Sequence, residues 1–451
     1  MPTDAGSASP ELTLTIGLVT LVAVAFGRLP GMSLSRAVLA LVGAVALVLT
    51  GAVTLERALA HVNGEVLVLL FGLMAVNAAL AEAGAFRLVA GLVTRGALGP
   101  RRLLALLVAC AGALSALFLN DTVAIMLTPL VVRTARRLGL PPVPYLLALA
   151  LAVNAGSVAT VTGNPQNVLV AVAADIGYGR FAARLAPVAL ASLAVVFLVV
   201  LALHLRELAP AGRPEDRPTE EPPAVRTGAL LLAGGAAAGL LTAFALGANV
   251  ALAALAAGAA ALLAGGRRSG ALLRKVDYGL LVLFAALFVV VGAMADTGLP
   301  QRWLLAWLPT GGGPLEVVGV TASVTAALST VVSNVPAVLM LLPATGFGGA
   351  VGAAVFDAAP SGAALSAAAA AGTGVPGPAW AGTEPLALTL ALASTLAGNL
   401  TLVASVANLI VAEGGRRIGV ELGFWTYLRA GVPVTLLSLA LGVAWLAYGG
   451  G

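Results

Sequence analysis

Ser115-Ala116-Leu117-Phe118-Leu119-Asn120-Asp121-Thr122-Val123-Ala124-Ile125-Met126-Leu127-Thr128-Pro129 is an apolar run with an Asn-Asp-Thr step at its centre. A second stretch, Ser329-Thr330-Val331-Val332-Ser333-Asn334-Val335-Pro336-Ala337-Val338-Leu339-Met340-Leu341-Leu342-Pro343, aligns with it without a gap, at an offset of 214 (334 − 120). Duplicated polar breaks inside apolar segments are how secondary transporters build a site at the bilayer midplane. The pair predicts an all-α polytopic membrane protein. Its halves are expected to form an inverted-topology repeat with two re-entrant hairpins and two broken transmembrane helices.

Composition agrees. Of 451 residues, 60% are hydrophobic and 10% charged, with mean hydropathy +1.05. A soluble chain carries about a quarter charged residues. Apolar stretches recur from residue 12 to residue 448, many near the ~20 residues that span a bilayer. The lipid bilayer is therefore the expected surrounding, as a multi-pass protein of the cell membrane. The net charge of +5 does not point to nucleic acid, because the basic residues sit in loops, where they set topology. The single Cys110 excludes an internal disulfide or a thiolate metal cluster. His61 and His204 lie far apart. Residues Met1 to Glu11 lack the basic start of a signal peptide, so the first apolar run is expected to stay as a helix.

The spans read as 12–28, 34–54 and 65–82, a helix–break–helix at 101–138, an interrupted segment at 144–175, and 184–205. After a linker rich in Pro, Arg and Glu come 228–246, 248–266, 279–297, 314–345, 384–413 and 424–448. The expected organisation is a first membrane repeat at 12–205, a cytoplasmic linker at 206–226, and a second, inverted repeat at 227–448. Glu82-Ala83-Gly84 matches Asp296-Thr297-Gly298, again at 214. Thr160 to Asn167 (TVTGNPQN) matches Thr401 to Asn408 (TLVASVAN) at 241 (408 − 167). The insertion that separates the two offsets falls at 346–382, a Gly/Ala-rich stretch expected to be a surface loop.

Arg101 and Arg102 precede the first helix–break–helix, and Arg133, Arg136 and Arg137 follow it. A hairpin that enters and returns puts all five on one face, the cytoplasmic one by the positive-inside rule. Propagated along the chain, this leaves only Arg57, Arg180, Arg184 and Arg302 outside, and turns both termini outward.

Unpaired backbone in hydrocarbon costs several kcal/mol, so a break at membrane depth needs a reason. Once tolerated, it offers carbonyls to cations and N–H groups to anions. Asn120 and Asn334 add amides at the two tips, and Ser115, Thr122, Ser329, Thr330 and Ser333 add hydroxyls. One such Asn reads as readily as an interhelical bridge; two at matched positions favour a site. Gly156-Ser157 and Gly163-Asn164-Pro165 break the first interrupted segment, and Ala397-Gly398-Asn399 with Ala404-Ser405 break its counterpart. A simple kink is the plainer alternative. Asp121 has Val335 as its partner, so it breaks the symmetry. An acid there suits ion coupling; a salt bridge or a helix cap is the bland reading. Glu82 and Asp296 end spans and read as interfacial.

In these residues the chain resembles the ion transporter superfamily: arsenite permeases, sodium/proton antiporters, and divalent anion:sodium symporters with citrate-type carriers. The resemblance covers nearly the whole chain. It is carried by Asn120-Asp121-Thr122 with Pro129, Gly163-Asn164-Pro165-Gln166-Asn167, Ser333-Asn334-Val335-Pro336, and Gly398-Asn399-Leu400-Thr401 through Asn408. Asn-Asp at the first tip is most similar to the arsenite and antiporter branches. Dicarboxylate symporters carry Ser-Asn-Thr at both tips, where this chain has Leu119 and Val335. The resemblance implies one cation (Na+) site from Ser115, Asn120 and Gly163, and another from Ser329, Asn334 and Ala404. It implies a solute between the tips, near Asn120, Thr122 and Asn334, with Asn164 and Ser405 close by. Ser333 joins that solute set, and Asp121 and Thr330 join the ion-coupling set. It also implies a homodimer.

The expected function is a secondary transporter for a small anion or metalloid solute, coupled to H+ or Na+ and needing no cofactor. A sodium/proton antiporter and a carboxylate (citrate-type) symporter are the alternatives. No Gly-x-x-x-x-Gly-Lys-Ser/Thr motif occurs, so energy comes from a gradient or a separate ATPase subunit. An enzyme is not expected, since no paired acids or Ser/His set share a face.

Overall fold

The computed structural model describes residues 9–26, 35–85, 99–208, 226–308, 312–345 and 384–449. The expected loop 346–382 and most of the linker lie outside them. Among the described residues the chain is helical, with no strand. The first half comprises α1 (Pro10–Phe26), α2 (Arg36–Leu49), α3 (Leu55–His61), α4 (Gly64–Ala83), α5 (Pro100–Leu117), α6 (Asn120–Arg137), α7 (Pro142–Ser157), α8 (Pro165–Ala173) and α9 (Tyr178–Leu203). The second comprises α10 (Thr227–Ala245), α11 (Val250–Ala264), α12 (Ser269–Leu273), α13 (Tyr278–Asp296), α14 (Leu299–Trp307), α15 (Pro314–Val332), α16 (Asn334–Ala344), α17 (Glu384–Ala397), α18 (Val406–Arg417) and α19 (Phe424–Tyr448). Seven of these helices (α4, α5, α9, α10, α13, α15 and α19) are long and apolar enough to cross a bilayer.

Helix starts follow local chemistry, and they recur at the offset of 214. Ser35 caps α2 by accepting from Val38 N, and Asn249 caps α11 by accepting from Leu252 N. Asn63 and Asp277 cap α4 and α13 in the same way. Pro100 and Pro314 open α5 and α15, where a missing donor costs nothing. Gly84 (φ 97°) and Gly298 (φ 68°) follow the ends of α4 and α13 in the left-handed region, which glycine adopts without strain.

The halves pack reciprocally. α4 lies against α11, and its counterpart α13 lies against α2. The ion pairs are reciprocal too. Lys275 Nζ donates to Glu82 at 2.5 Å, and His61 Nε2, at the position matching Lys275, meets Asp296 at 3.0 Å. Arg268 adds to the first pair and Arg57 to the second. Arg57 thus pairs with Asp296, and Arg180 and Arg184 with Glu384. Glu82 is 30% exposed, so Glu82→Gln is expected to lower stability by under about 1 kcal/mol. Asp296→Asn weakens both the paired Arg57 contacts and the bond to buried His61, and is expected to lose about 1–3 kcal/mol. Thermal unfolding of the purified protein in detergent checks both.

The structure shifts some sequence expectations. α9 starts at Tyr178 rather than near 184, so Arg180 and Arg184 lie in its first turns and reach Glu384. The second span ends at Leu49, well before 54, because the chain turns at Gly51 (φ 70°) and starts α3. α7 continues through Gly156-Ser157 and breaks after them. A Cβ on Gly156 would lie 2.3 Å from Gly112 O, so that glycine serves packing against α5.

Candidate functional site: a buried amide network

Two helices stop in the interior. α7 ends at Ser157; a 3-10 turn at Val161–Gly163 and extended Asn164 follow before Pro165 starts α8. α17 ends at Ala397, and α18 starts at Val406. Each end frees carbonyls that need partners. In each case an asparagine from the helix beyond the break supplies them. Asn167 Nδ2 donates to Ser157 O at 2.9 Å and Thr160 O at 2.8 Å. Asn408 Nδ2 donates to Gly398 O at 2.7 Å and Thr401 O at 3.2 Å. All three positions in the second set are displaced by 241 from the first.

The helices flanking Asn120 and Asn334 anchor to these segments by the same pattern. Both α5 and α6 pack on α7, and both α15 and α16 pack on α17. Ser115 Oγ donates to Val153 O, and Ser329 Oγ donates to Ser394 O at 3.2 Å. Both serines are fully buried.

Asn154 joins the parts. Its Nδ2 donates to Asn399 Oδ1 and to Asn408 Oδ1, each at 3.0 Å. Its Oδ1 accepts from Asn120 Nδ2 and from Ser405 Oγ, each at 3.0 Å. Asn164 Nδ2 donates to Ser157 Oγ, which donates to Asn154 O. Gln166, Asn167 and Thr395 form a linked branch, with Gln166 Nε2 to Thr395 Oγ1 at 3.0 Å and Thr395 Oγ1 to Asn167 Oδ1 at 3.3 Å.

Of the residues singled out in the sequence, Asn120, Asn164 and Ser405 lie in this network. Ser115, Ser329 and Asn334 border it: Asn334 Oδ1 accepts from Ser329 Oγ at 2.8 Å, and its Nδ2 lies beside Gly398. Gly163 packs so closely that a Cβ would fall 2.3 Å from Ser157 O, and Ala404 is buried beside Ser405. Thr330 bonds back to Ala326 O in its own helix. Thr122, Ser333 and the Asp121 carboxylate make no side-chain hydrogen bond to the network among the described residues. Ser333 holds φ at 77°, a strained conformation for a non-glycine residue at the turn of the second tip. Asp121 is partly buried, and the charges of Arg36 and Asp277 act on it.

The sequence reading missed Asn154. A lone amide directly after the apolar run Leu146 to Val153 was the available signal, and its counterpart at 241, Thr395, hides it from a repeat search.

Among the described residues, His61 is the only buried basic side chain, and it belongs to the Asp296 pair instead. The network therefore offers amides, hydroxyls and carbonyls. No group of three or more metal-ligating side chains occurs among the described residues.

The citrate transporter family model matches residues 21–370. The chain belongs to that family. It is a membrane transporter and not an enzyme. The silicon efflux transporter LSI3 of Oryza sativa subsp. japonica is 29% identical to this transporter, over 96% of each chain. An uncharacterized transporter of Mycobacterium tuberculosis (strain CDC 1551 / Oshkosh) is 30% identical, over 81% of this chain and 82% of its own. The crystal structure of the Alcanivorax borkumensis YdaH transporter, which has an unusual topology, covers 98% of both chains with TM-score 0.54 and 18% identity, a likeness of fold.

Proposed function

We propose that the protein is a secondary transporter for a small hydroxylated metalloid solute or inorganic anion, coupled to a proton or sodium gradient. The observation that carries this is the make-up of the buried network, whose side chains are amides and hydroxyls that offer donors and acceptors side by side. A tricarboxylate leaving water needs several cations or dedicated N–H groups to replace its hydration. An uncharged polyhydroxyl solute needs alternating donors and acceptors, which Asn and Ser side chains provide. The rice relative's silicon efflux supports the same reading.

In this reading Asn120, Asn164, Asn334 and Ser405 face the solute, with Thr122 and Ser333 at the tips. Ser115, Asn120 and Gly163, and Ser329, Asn334 and Ala404, offer oxygen to a coupling cation, with Thr330 nearby. Asp121 exchanges the proton if protons drive transport. The halves, 12–205 and 227–448, run oppositely through the cell membrane around the 206–226 linker, each with a re-entrant hairpin, and two copies pair.

The test is flux into proteoliposomes of silicic acid, arsenite and citrate, under imposed pH and sodium gradients. Silicic acid or arsenite flux is expected, and Asn120→Ala is expected to cut it by roughly tenfold or more, the loss of about 1–3 kcal/mol of hydrogen bonding. Citrate flux alone, or an unchanged Asn120→Ala, overturns the reading. The partly buried Asp121 also suits a sodium/proton antiporter. That second reading requires Asp121→Asn to abolish pH changes driven by sodium alone.

A further inference from the structure

We propose that Asn154 is a positioning residue that carries the state of the first hairpin tip into the unwound segment of the second half. Its functional consequence rests on the transport reading above; its structural core does not. A primary amide has two donors and two acceptor sites. All four are occupied here, by Asn399, Asn408, Asn120 and Ser405, each at 3.0 Å. Asn154 is 1% exposed. It has nothing left to offer a solute, so it acts only through its four partners.

Those partners lie on three separate pieces of chain. Asn120 starts α6 at the first tip. Asn399 and Ser405 lie within the 398–405 break, and Asn408 holds the carbonyls of Gly398 and Thr401. If Asn120 turns toward a bound solute or ion, Asn154 Oδ1 loses one of its two donors. The amide cannot compensate by flipping. A flip would set its oxygen against the oxygens of Asn399 and Asn408, and its NH2 against the NH2 of Asn120. It therefore has one good arrangement with the first tip engaged, and must release the second-half break to adopt another. A two-arrangement element that two sites both bias is the physical requirement for coupling.

The mirrored position keeps the link to the opposite half but has none to its own tip. Thr395 has a single hydroxyl, taken up by Gln166 and Asn167. The second tip's Asn334 is held by Ser329 of its own hairpin. A change at the first tip should reach the second half, whereas a change at the second tip should stay local.

The experiment is hydrogen–deuterium exchange on the full chain in detergent, following peptides that cover 157–167 and 398–408. Asn154→Thr is the central variant, because the fold already carries threonine at the matching position. Asn120→Ala is expected to speed exchange across 398–408 by about tenfold, the loss of roughly 1.4 kcal/mol of local protection. In the Asn154→Thr background, Asn120→Ala should add no further change. Asn334→Ala should leave 157–167 unchanged. Should Asn120→Ala or Asn154→Thr not accumulate, Asn120→Ser and Asn154→Ser, the latter leaving room for a water to pair the stranded groups, complete the same cycle. Unchanged exchange at 398–408 in the tip variant, an undiminished effect in the Asn154→Thr background, or a response of 157–167 to Asn334→Ala overturns the proposal. These readouts need no solute, so they stand or fall apart from the flux test. Where silicic acid is carried, Asn154→Thr should also make its apparent affinity at least threefold less dependent on the driving ion.

Discussion

Asn408→Ala is expected to leave little folded protein. The substitution strips the donors from Gly398 O and Thr401 O, and the acceptor from one Asn154 N–H, all at the interior end of a broken helix. Gly398 O and the Asn154 N–H are fully buried and Thr401 O is part-buried; at about 1–3 kcal/mol for each buried group, the loss is roughly 2–6 kcal/mol before Thr401 O is counted. Total stabilities are typically about 5–15 kcal/mol. Asn167→Ala strands the matching pair, Ser157 O and Thr160 O, and should fail in the same way. Asn408→Asp keeps the acceptor and loses both donors, so it should not rescue. Size-exclusion profiles and thermal melts of detergent extracts provide the measurement. A monodisperse Asn408→Ala protein melting within a few degrees of wild type would show that water or another group satisfies these carbonyls.

Gly72→Ala is the second large expected loss. Gly72 sits mid-way along α4, where a Cβ would lie 2.2 Å from Ala254 O and 2.3 Å from Ala254 C. Those atoms are backbone of α11, so no side chain can swing aside, and the two helices must separate. Opening a close-packed seam sacrifices dispersion contacts along its length. Overpacking of this kind costs about 1–3 kcal/mol in ordinary cores, and rigid backbone opposite places this case at the upper end. The mirrored seam between α13 and α2 carries Ala286 at the matching position. Ala286→Gly should cost under about 1.5 kcal/mol, chiefly helix propensity and a lost methyl. Comparable melting losses for the two variants would mean that the seam adjusts freely.

Much of the fold was legible because it is written in hydropathy and punctuation. Spans at 65–82, 279–297 and 424–448 fall within a residue or so of α4, α13 and α19. The interruptions at Gly163-Asn164-Pro165 and after Ala397 were marked by residues that weaken a helix. The short helices α3, α12 and α14 were invisible, because seven, five and nine residues are too few to fill a membrane-length window. At the candidate site, the sequence pointed to Asn120, Asn164, Asn334 and Ser405 through matched polar breaks. Its one sign of Asn154 was a lone amide after an apolar run; the four partners of that residue lie up to 254 positions away and its counterpart is a threonine. The sequence also grouped Thr122, Ser333 and Asp121 with the amides through the tip motifs, and among the described residues their side chains make no hydrogen bond to the network. A side chain's direction at a helix start depends on backbone angles that spacing does not encode.

The reciprocal seam has a consequence for biogenesis. α4 emerges from the ribosome about 170 residues before α11, its principal packing partner in the other half. At ~5–20 residues per second, that leaves the small-residue face around Gly72 uncovered for on the order of 10–30 s. During that interval lipid or the insertion machinery must occupy the groove, and then yield it. Truncated nascent chains ending before residue 250 should therefore stay associated with the translocon, while those extending past α13 should be released.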